Sequence, residues 1–172
     1  NIKDEVCEKI LEELFSRVNN FYDIININDQ ELQDILYNAR YRKVKAEILK
    51  SVSRDILNRF GGEVPSEKDQ LLSIKGIGPK TCNVVLAFAF GKKVIPVDTN
   101  VHRIFNRIGM IETDKVEDTE KELLKIIPDE YICDLNGIAM MHGKEICVPI
   151  NPFCSRCPIE NICMKINVEK SR

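Results

Sequence analysis

The chain has 172 residues, 44% of them apolar and 30% charged, with a formal net charge of −2. This is an ordinary globular composition, long enough for a sizeable core in one domain or two small ones. No uncharged apolar run approaches the length of a membrane-spanning helix, and no stretch reads as a secretory signal. A slightly negative total argues for no polyanionic partner, so the placement of charge matters more than its sum. The first residue is Asn1 rather than methionine, and a further N-terminal segment is expected before it.

In chain order, residues 4–18 have the periodicity of an amphipathic helix, with Val6, Ile10, Leu11, Leu14 and Phe15 as its buried stripe. Residues 19–28 read as a connector. Residues 29–39 predict a second helix with Leu32, Ile35 and Leu36 inward. Residues 44–60 predict a third, with Ile48, Val52, Ile56 and Leu57 inward and a basic face outward, ended by Gly61-Gly62. Seven basic residues fall between 40 and 59 (Arg40, Arg42, Lys43, Lys45, Lys50, Arg54 and Arg59) against Glu47 and Asp55. Such a run is by itself a solvated helix face. Acids gather instead at 112–122.

Residues 71–98 organise the chain. An apolar run ends at Ile74, Lys75-Gly76-Ile77-Gly78 follows, and a second apolar run opens at Pro79. Gly76 and Gly78 suit a tight hairpin, and Pro79 suits a first helical position. Cys82, Val85, Leu86 and Ala89 then recur at helical spacing. The pattern predicts helix, hairpin, helix, whose free N–H groups offer an anion site. Lys80 stands in the first turn beside it. Asp98 follows Ile95-Pro96-Val97 and occupies the N-cap position of a helix over 99–108. A cap alone would account for Asp98, and phosphate pairing alone would account for Lys80. Further helices are expected over 116–127, closed by Pro128, and over 130–146, with Ile132, Leu135, Ile138, Ala139 and Met141 as core. With no strand pattern, repeat or low-complexity segment, the fold class is all-α.

Four of the seven cysteines, Cys147, Cys154, Cys157 and Cys163, have the spacing C-x6-C-x2-C-x5-C. Pro149, Pro152 and Pro158 keep the segments between them from being continuous helix. Disulfides are disfavoured by the odd cysteine count and the absence of a secretory signal. The spacing leaves a four-thiolate zinc site and a [4Fe–4S] cluster both open. Cys7, Cys82 and Cys133 are read as core or boundary thiols. His102 and His142 are read as packed or hydrogen-bonded residues.

The stretches LLSIKGIGPKTCNVVLAFAFG and IPVDTNVHRIFNR, with the cysteine array behind His142-Gly143, resemble the endonuclease III family of DNA glycosylases. The resemblance runs over almost the whole chain. It implies a helix-hairpin-helix DNA glycosylase fold, with a hairpin-bearing helical domain at 1–92 and a helical iron–sulfur domain at 93–172. It implies base-excision repair on double-stranded DNA carrying damaged bases or abasic sites. Lys80 would attack the sugar C1′ and form a Schiff base, Asp98 would assist, and β-elimination would cut the strand. Gly76, Gly78 and Thr81 would bind DNA, and Cys147, Cys154, Cys157 and Cys163 would hold a [4Fe–4S] cluster.

Adenine-specific and mismatch-thymine relatives have other residues at the Lys80 position, so lysine implies the branch acting on oxidised pyrimidines. Beside a phosphate-binding hairpin, the basic stretch becomes a candidate DNA-facing edge. The resemblance further implies a monomer with no membrane association, in the cytoplasm near the nucleoid. In the family, the loop between the first two thiol ligands carries basic residues. Here it is Val148-Pro149-Ile150-Asn151-Pro152-Phe153, without charge. Arg103 could reach either the cluster or a phosphate. Relatives also carry an N-terminal segment whose loop fills the gap left by a flipped base, so this chain is expected to handle abasic sites better than intact damaged bases. Three readings compete: a bifunctional glycosylase, a silent helix-hairpin-helix DNA-binding module, and a zinc-stabilised interaction domain. A mismatch-specific glycosylase is an alternative within the first.

Overall fold

The computed structural model describes residues 4–172, and every regular element among them is helical. By contact the chain divides into two compact units, Asn1–Ile77 and Gly78–Arg172. The units part inside the hairpin, and its second helix packs with the second unit. The division expected after residue 92 groups that helix with the first unit instead. Among the described residues no helix is long and apolar enough to cross a membrane.

The first unit holds α1 (Asp4–Arg17), α2 (Phe21–Asn26), α3 (Asp29–Ile35), α4 (Arg42–Phe60) and α5 (Lys68–Leu72). Residues 19–28 are therefore not a plain connector. The Asn20 side chain accepts from the Asp23 N–H and starts α2; Asn28 accepts from the Gln30 and Glu31 N–H groups and starts α3. Two asparagine caps eight residues apart split what looks like loop into two short helices. The core is built on Ile10, Leu14 and Val18 of the first segment, Leu32, Ile35 and Leu36 of the next, and Ala39 and Ala46.

The α1 stripe is narrower than the sequence pattern. Leu11 and Phe15 are exposed, because α1 packs on α3 along the single row Ile10, Leu14, Val18. In α4 the buried row is Ala46, Lys50, Ser53 and Ile56, not one led by Ile48, which is exposed. A helix pressed against α2 and α3 accommodates small residues on its inner face. One of the seven basic residues thus faces inward: Lys50 Nζ donates to Ile27 O at 2.6 Å and pairs with Asp29. Gly61, at φ +65°, ends α4 as expected.

The second unit holds α6 (Pro79–Phe90), α7 (Thr99–Ile108), α8 (Val116–Ile126) and α9 (Ile132–Glu145), with short 3-10 turns at Asp129–Tyr131, Cys154–Arg156 and Glu160–Ile162. Its core gathers Ile95, Val97, Val101, Ile104, Leu123, Ile132 and Leu135. Along α9 the buried row is Ile132, Leu135, Ala139 and Gly143. Ile138 and Met141 face outward, contrary to expectation; Met141 lies nine residues, half a helical revolution, from the row's start. Of the three remaining cysteines only Cys82 is a core thiol, while Cys7 and Cys133 are exposed.

Candidate functional site

The two hairpin glycines differ in what the fold asks of them. Gly76 has φ +106°, and a Cβ there would meet Ile48 Cγ2 at 2.9 Å. Both the backbone angle and the neighbour forbid a side chain. Gly78 has φ −92° and ψ 174°, extended backbone open to any residue, and a Cβ there would meet nothing within 4 Å. As the N-cap of α6 it offers no side chain to the first-turn N–H groups of Lys80 and Thr81. That helix start therefore keeps its donors and the positive end of its dipole for an outside acceptor. Thr81 and Lys80 are both exposed there.

The start of α7 is arranged in the opposite way. Asp98 Oδ1 accepts from the Asn100 N–H at 2.8 Å and the Val101 N–H at 3.0 Å. Asp98 Oδ2 is left facing Lys80 Nζ at 3.6 Å, with Asn100 Nδ2 at 3.3 Å. The Asp98 side chain is 11% exposed and that of Lys80 is 58% exposed. A shielded carboxylate thus stands behind a reachable amine. The segment that delivers Asp98, Ile95-Pro96-Val97, is buried and has no regular structure. Its carbonyls find side chains: Asn83 Nδ2 donates to Ile95 O at 3.1 Å and Asn136 Nδ2 donates to Pro96 O.

The four array thiols line one cavity in the second unit, together with Ile104, Arg107, Ile108 and His142. Among the described residues no three His, Cys, Asp or Glu side chains are gathered about one metal-ion position. Burial pushes the Cys157 thiol up from its ordinary pKa. A hydrogen bond with the Ile159 backbone opposes this, and the nearby Cys163, Cys147 and Cys154 push the same way as burial. Burial likewise pushes His142 down; its Nε2 is 3.7 Å from Cys157 Sγ.

Two arginines of α7 tie the array to the helix that Asp98 caps. Arg103 donates to Cys147 O, Gly143 O and Asn100 Oδ1, so it turns to the array rather than to solvent. Arg107 reaches Cys147 Sγ at 3.4 Å, Val148 O at 2.8 Å and Pro149 O at 2.7 Å. Sequence reasoning passed over Arg107, although it lies one turn after Arg103 on the same face. It also passed over Asn83, Asn100 and Asn136, whose roles depend on which carbonyl or carboxylate the fold brings beside them. His102 is hydrogen-bonded as expected, with Nδ1 2.7 Å from Thr119 Oγ1. The uncharged loop at 148–153 acquires cations from elsewhere: the Arg172 guanidinium lies 4.0 Å from the Phe153 ring centroid, and Arg156 lies 5.6 Å from it.

The model for the HhH-GPD superfamily of base excision DNA repair proteins matches residues 1–129. Endonuclease III of Thermotoga maritima is 35% identical over 161 residues, covering 94% of this chain and 76% of that protein. Among solved structures, a trapped endonuclease III–DNA covalent intermediate superposes with a TM-score of 0.87 at 31% identity, over 95% of this chain and 77% of the other. A thermostable thymine-DNA glycosylase superposes with a TM-score of 0.82 at 27% identity, over 92% and 75%. The fold is the helix-hairpin-helix DNA glycosylase fold, and the chain is an enzyme of base excision repair belonging to the HhH-GPD superfamily.

Proposed function

We propose that the chain is a bifunctional DNA glycosylase and abasic-site lyase for oxidised pyrimidines, acting through Lys80 and Asp98. The observation that carries this is the pair itself: an exposed amine 3.6 Å from a shielded carboxylate oxygen that the helix cap leaves over. Lys80 Nζ attacks C1′ of an extruded nucleotide and displaces the base. Asp98 Oδ2 accepts the proton the amine gives up and stabilises the positive charge that builds on the sugar. The C1′–O4′ bond of the resulting aminal then breaks, O4′ taking up a proton, and the opened sugar is held as a Schiff base that permits β-elimination on the 3′ side.

The uncapped start of α6, with Gly78, Thr81 and the Gly76 turn, binds backbone phosphates of double-stranded DNA without reading sequence. A bare Gly78 with open space around it fits close approach by a ligand backbone. The likeness to a trapped endonuclease III–DNA covalent intermediate and the lysine at position 80 support the lyase reading. Both reacting groups lie in one unit of one chain, which suits a monomer. By role, residues 1–92 carry the hairpin and nucleophile, and 93–172 carry the carboxylate and thiols. The proposed place of work is the cytoplasm, at the nucleoid.

Cys147, Cys154, Cys157 and Cys163 would hold a [4Fe–4S] cluster. Four thiols lining one cavity, with Cys163, Cys147 and Cys154 near enough to act on the Cys157 thiol, suit a group that takes four thiolates. When bound, the cluster supplies cross-linking of the C-terminal loops. Arg103 and Arg107, bonded to Cys147 O, Val148 O and Pro149 O, would hold Cys147 and its following loop in place for it.

Borohydride trapping on abasic duplex DNA tests the function. A covalent adduct with this chain, absent in Lys80→Ala, is expected. No adduct would leave the hairpin as a DNA-binding element only, with Asp98 as a cap.

A further inference from the structure

The distance between Lys80 and Asp98 is set by groups other than themselves. Lys80 rides on α6. Asp98 caps α7 at one end of a buried segment, Ile95-Pro96-Val97, whose own carbonyls no ladder or helix satisfies. Buried carbonyls in such a segment need partners, and two side-chain amides supply them on consecutive residues. Asn83, one turn after Lys80 on the same helix, donates to Ile95 O. Asn136, on α9, donates to Pro96 O. Asn83 therefore ties the helix of the amine directly to the segment of the carboxylate, three residues before Asp98.

Asn83 is 3% exposed, and its Oδ1 is buried without a hydrogen-bond partner. Turning the amide over would set two oxygens against each other at Ile95, so the orientation is fixed by the acceptor. The orphaned oxygen is a cost to the fold. Its one bond is the one to the catalytic segment.

We propose that Asn83 and Asn136 are positioning residues for the excision chemistry, fixing the register of the 95–98 segment and so the reach of Asp98 Oδ2 to Lys80. This rests on the Lys80–Asp98 reading above. A displacement of an ångström or less in a reacting pair is costly to rate, while DNA affinity, carried by the hairpin, is not involved.

The test uses the full chain on abasic duplex DNA under single-turnover conditions. Asn83→Leu and Asn136→Leu should each slow Schiff-base trapping by about tenfold or more, with duplex affinity close to that of the unaltered chain and a lowered melting temperature, because a buried carbonyl loses its donor. On an Asp98→Asn background the same substitutions should add little, because they act through that carboxylate. Asn83→Ser, which restores a donor, should recover part of the rate. Rate losses fully additive with Asp98→Asn, or folded variants with no rate loss, would overturn the proposal. If Asn83→Leu does not fold, Asn136→Leu at the adjoining, half-buried position carries the same cycle. Failure of the unaltered chain to trap at all would instead overturn the function, whatever the asparagines do.

Discussion

Asp98 divides its carboxylate between two tasks, with Oδ1 capping α7 and Oδ2 facing Lys80 Nζ at 3.6 Å. The division separates the two roles experimentally. Asparagine caps a helix about as well as aspartate. Asp98→Asn should therefore leave thermal stability nearly unchanged while slowing base release by about 10²-fold or more. Asp98→Ala should add a stability loss of about 1 kcal/mol. Calorimetry beside single-turnover base release checks both. Lost stability with unchanged base release in Asp98→Asn would reduce the residue to a cap.

The two hairpin glycines should fail differently. Gly76→Ala forces a side chain onto a positive φ and against Ile48, and should destabilise the chain by about 1–3 kcal/mol. Gly78→Ala meets neither obstacle. It should fold normally and bind abasic duplex more weakly, because a methyl group stands where a phosphate approaches. Denaturant titration and duplex binding of the two variants provide the comparison; equal affinity for Gly78→Ala would remove that position from the DNA surface.

Alanine at Cys147, Cys154, Cys157 or Cys163 should each lower bound iron and loosen the C-terminal loops, since ligand binding and loop folding are coupled. Alanine at Cys7, Cys82 or Cys133 should leave iron content unchanged. Iron analysis and visible absorption decide this. Zinc in place of iron, or iron loss at Cys133, would contradict the assignment.

The Lys50–Asp29 pair should be seen in acid. A hydrogen bond and the charge of Lys50 hold the Asp29 carboxyl below its ordinary pKa. A carboxylate lowered on folding contributes stability that is present above its unfolded value, about pH 4, and is lost as pH falls through its folded one. Lys50→Met should flatten the acid limb of the stability curve below about pH 4 and leave Ile27 O without its donor. An unchanged acid limb would show that the pair does not contribute.

What the sequence made legible depends on how local the signal is. Helix starts and stops set by a neighbour, such as Gly61, Pro79 and Asp98, were readable because cap and helix are adjacent in the chain. The α2 helix was missed because six residues carry too little periodicity to show above a polar connector. Leu11, Phe15, Ile138 and Met141 are apolar but face outward, since periodicity marks an apolar side without saying how wide a stripe the neighbouring helix covers. At the site, Lys80, Asp98 and the four thiols stood out by type and spacing. Asn83, Asn136 and Arg107 did not, because an amide or guanidinium becomes informative only once a distant carbonyl or thiol lies beside it.

The proposed mechanism turns on Lys80 as the nucleophile. It is tested most directly by reducing the complex of this chain with abasic duplex DNA and locating the modified residue by peptide mass spectrometry. One deoxyribose-derived adduct is expected on the peptide containing Lys80, and none in Lys80→Ala. An adduct on any other lysine or on the terminal amine, or strand cleavage that persists in Lys80→Ala, would contradict it.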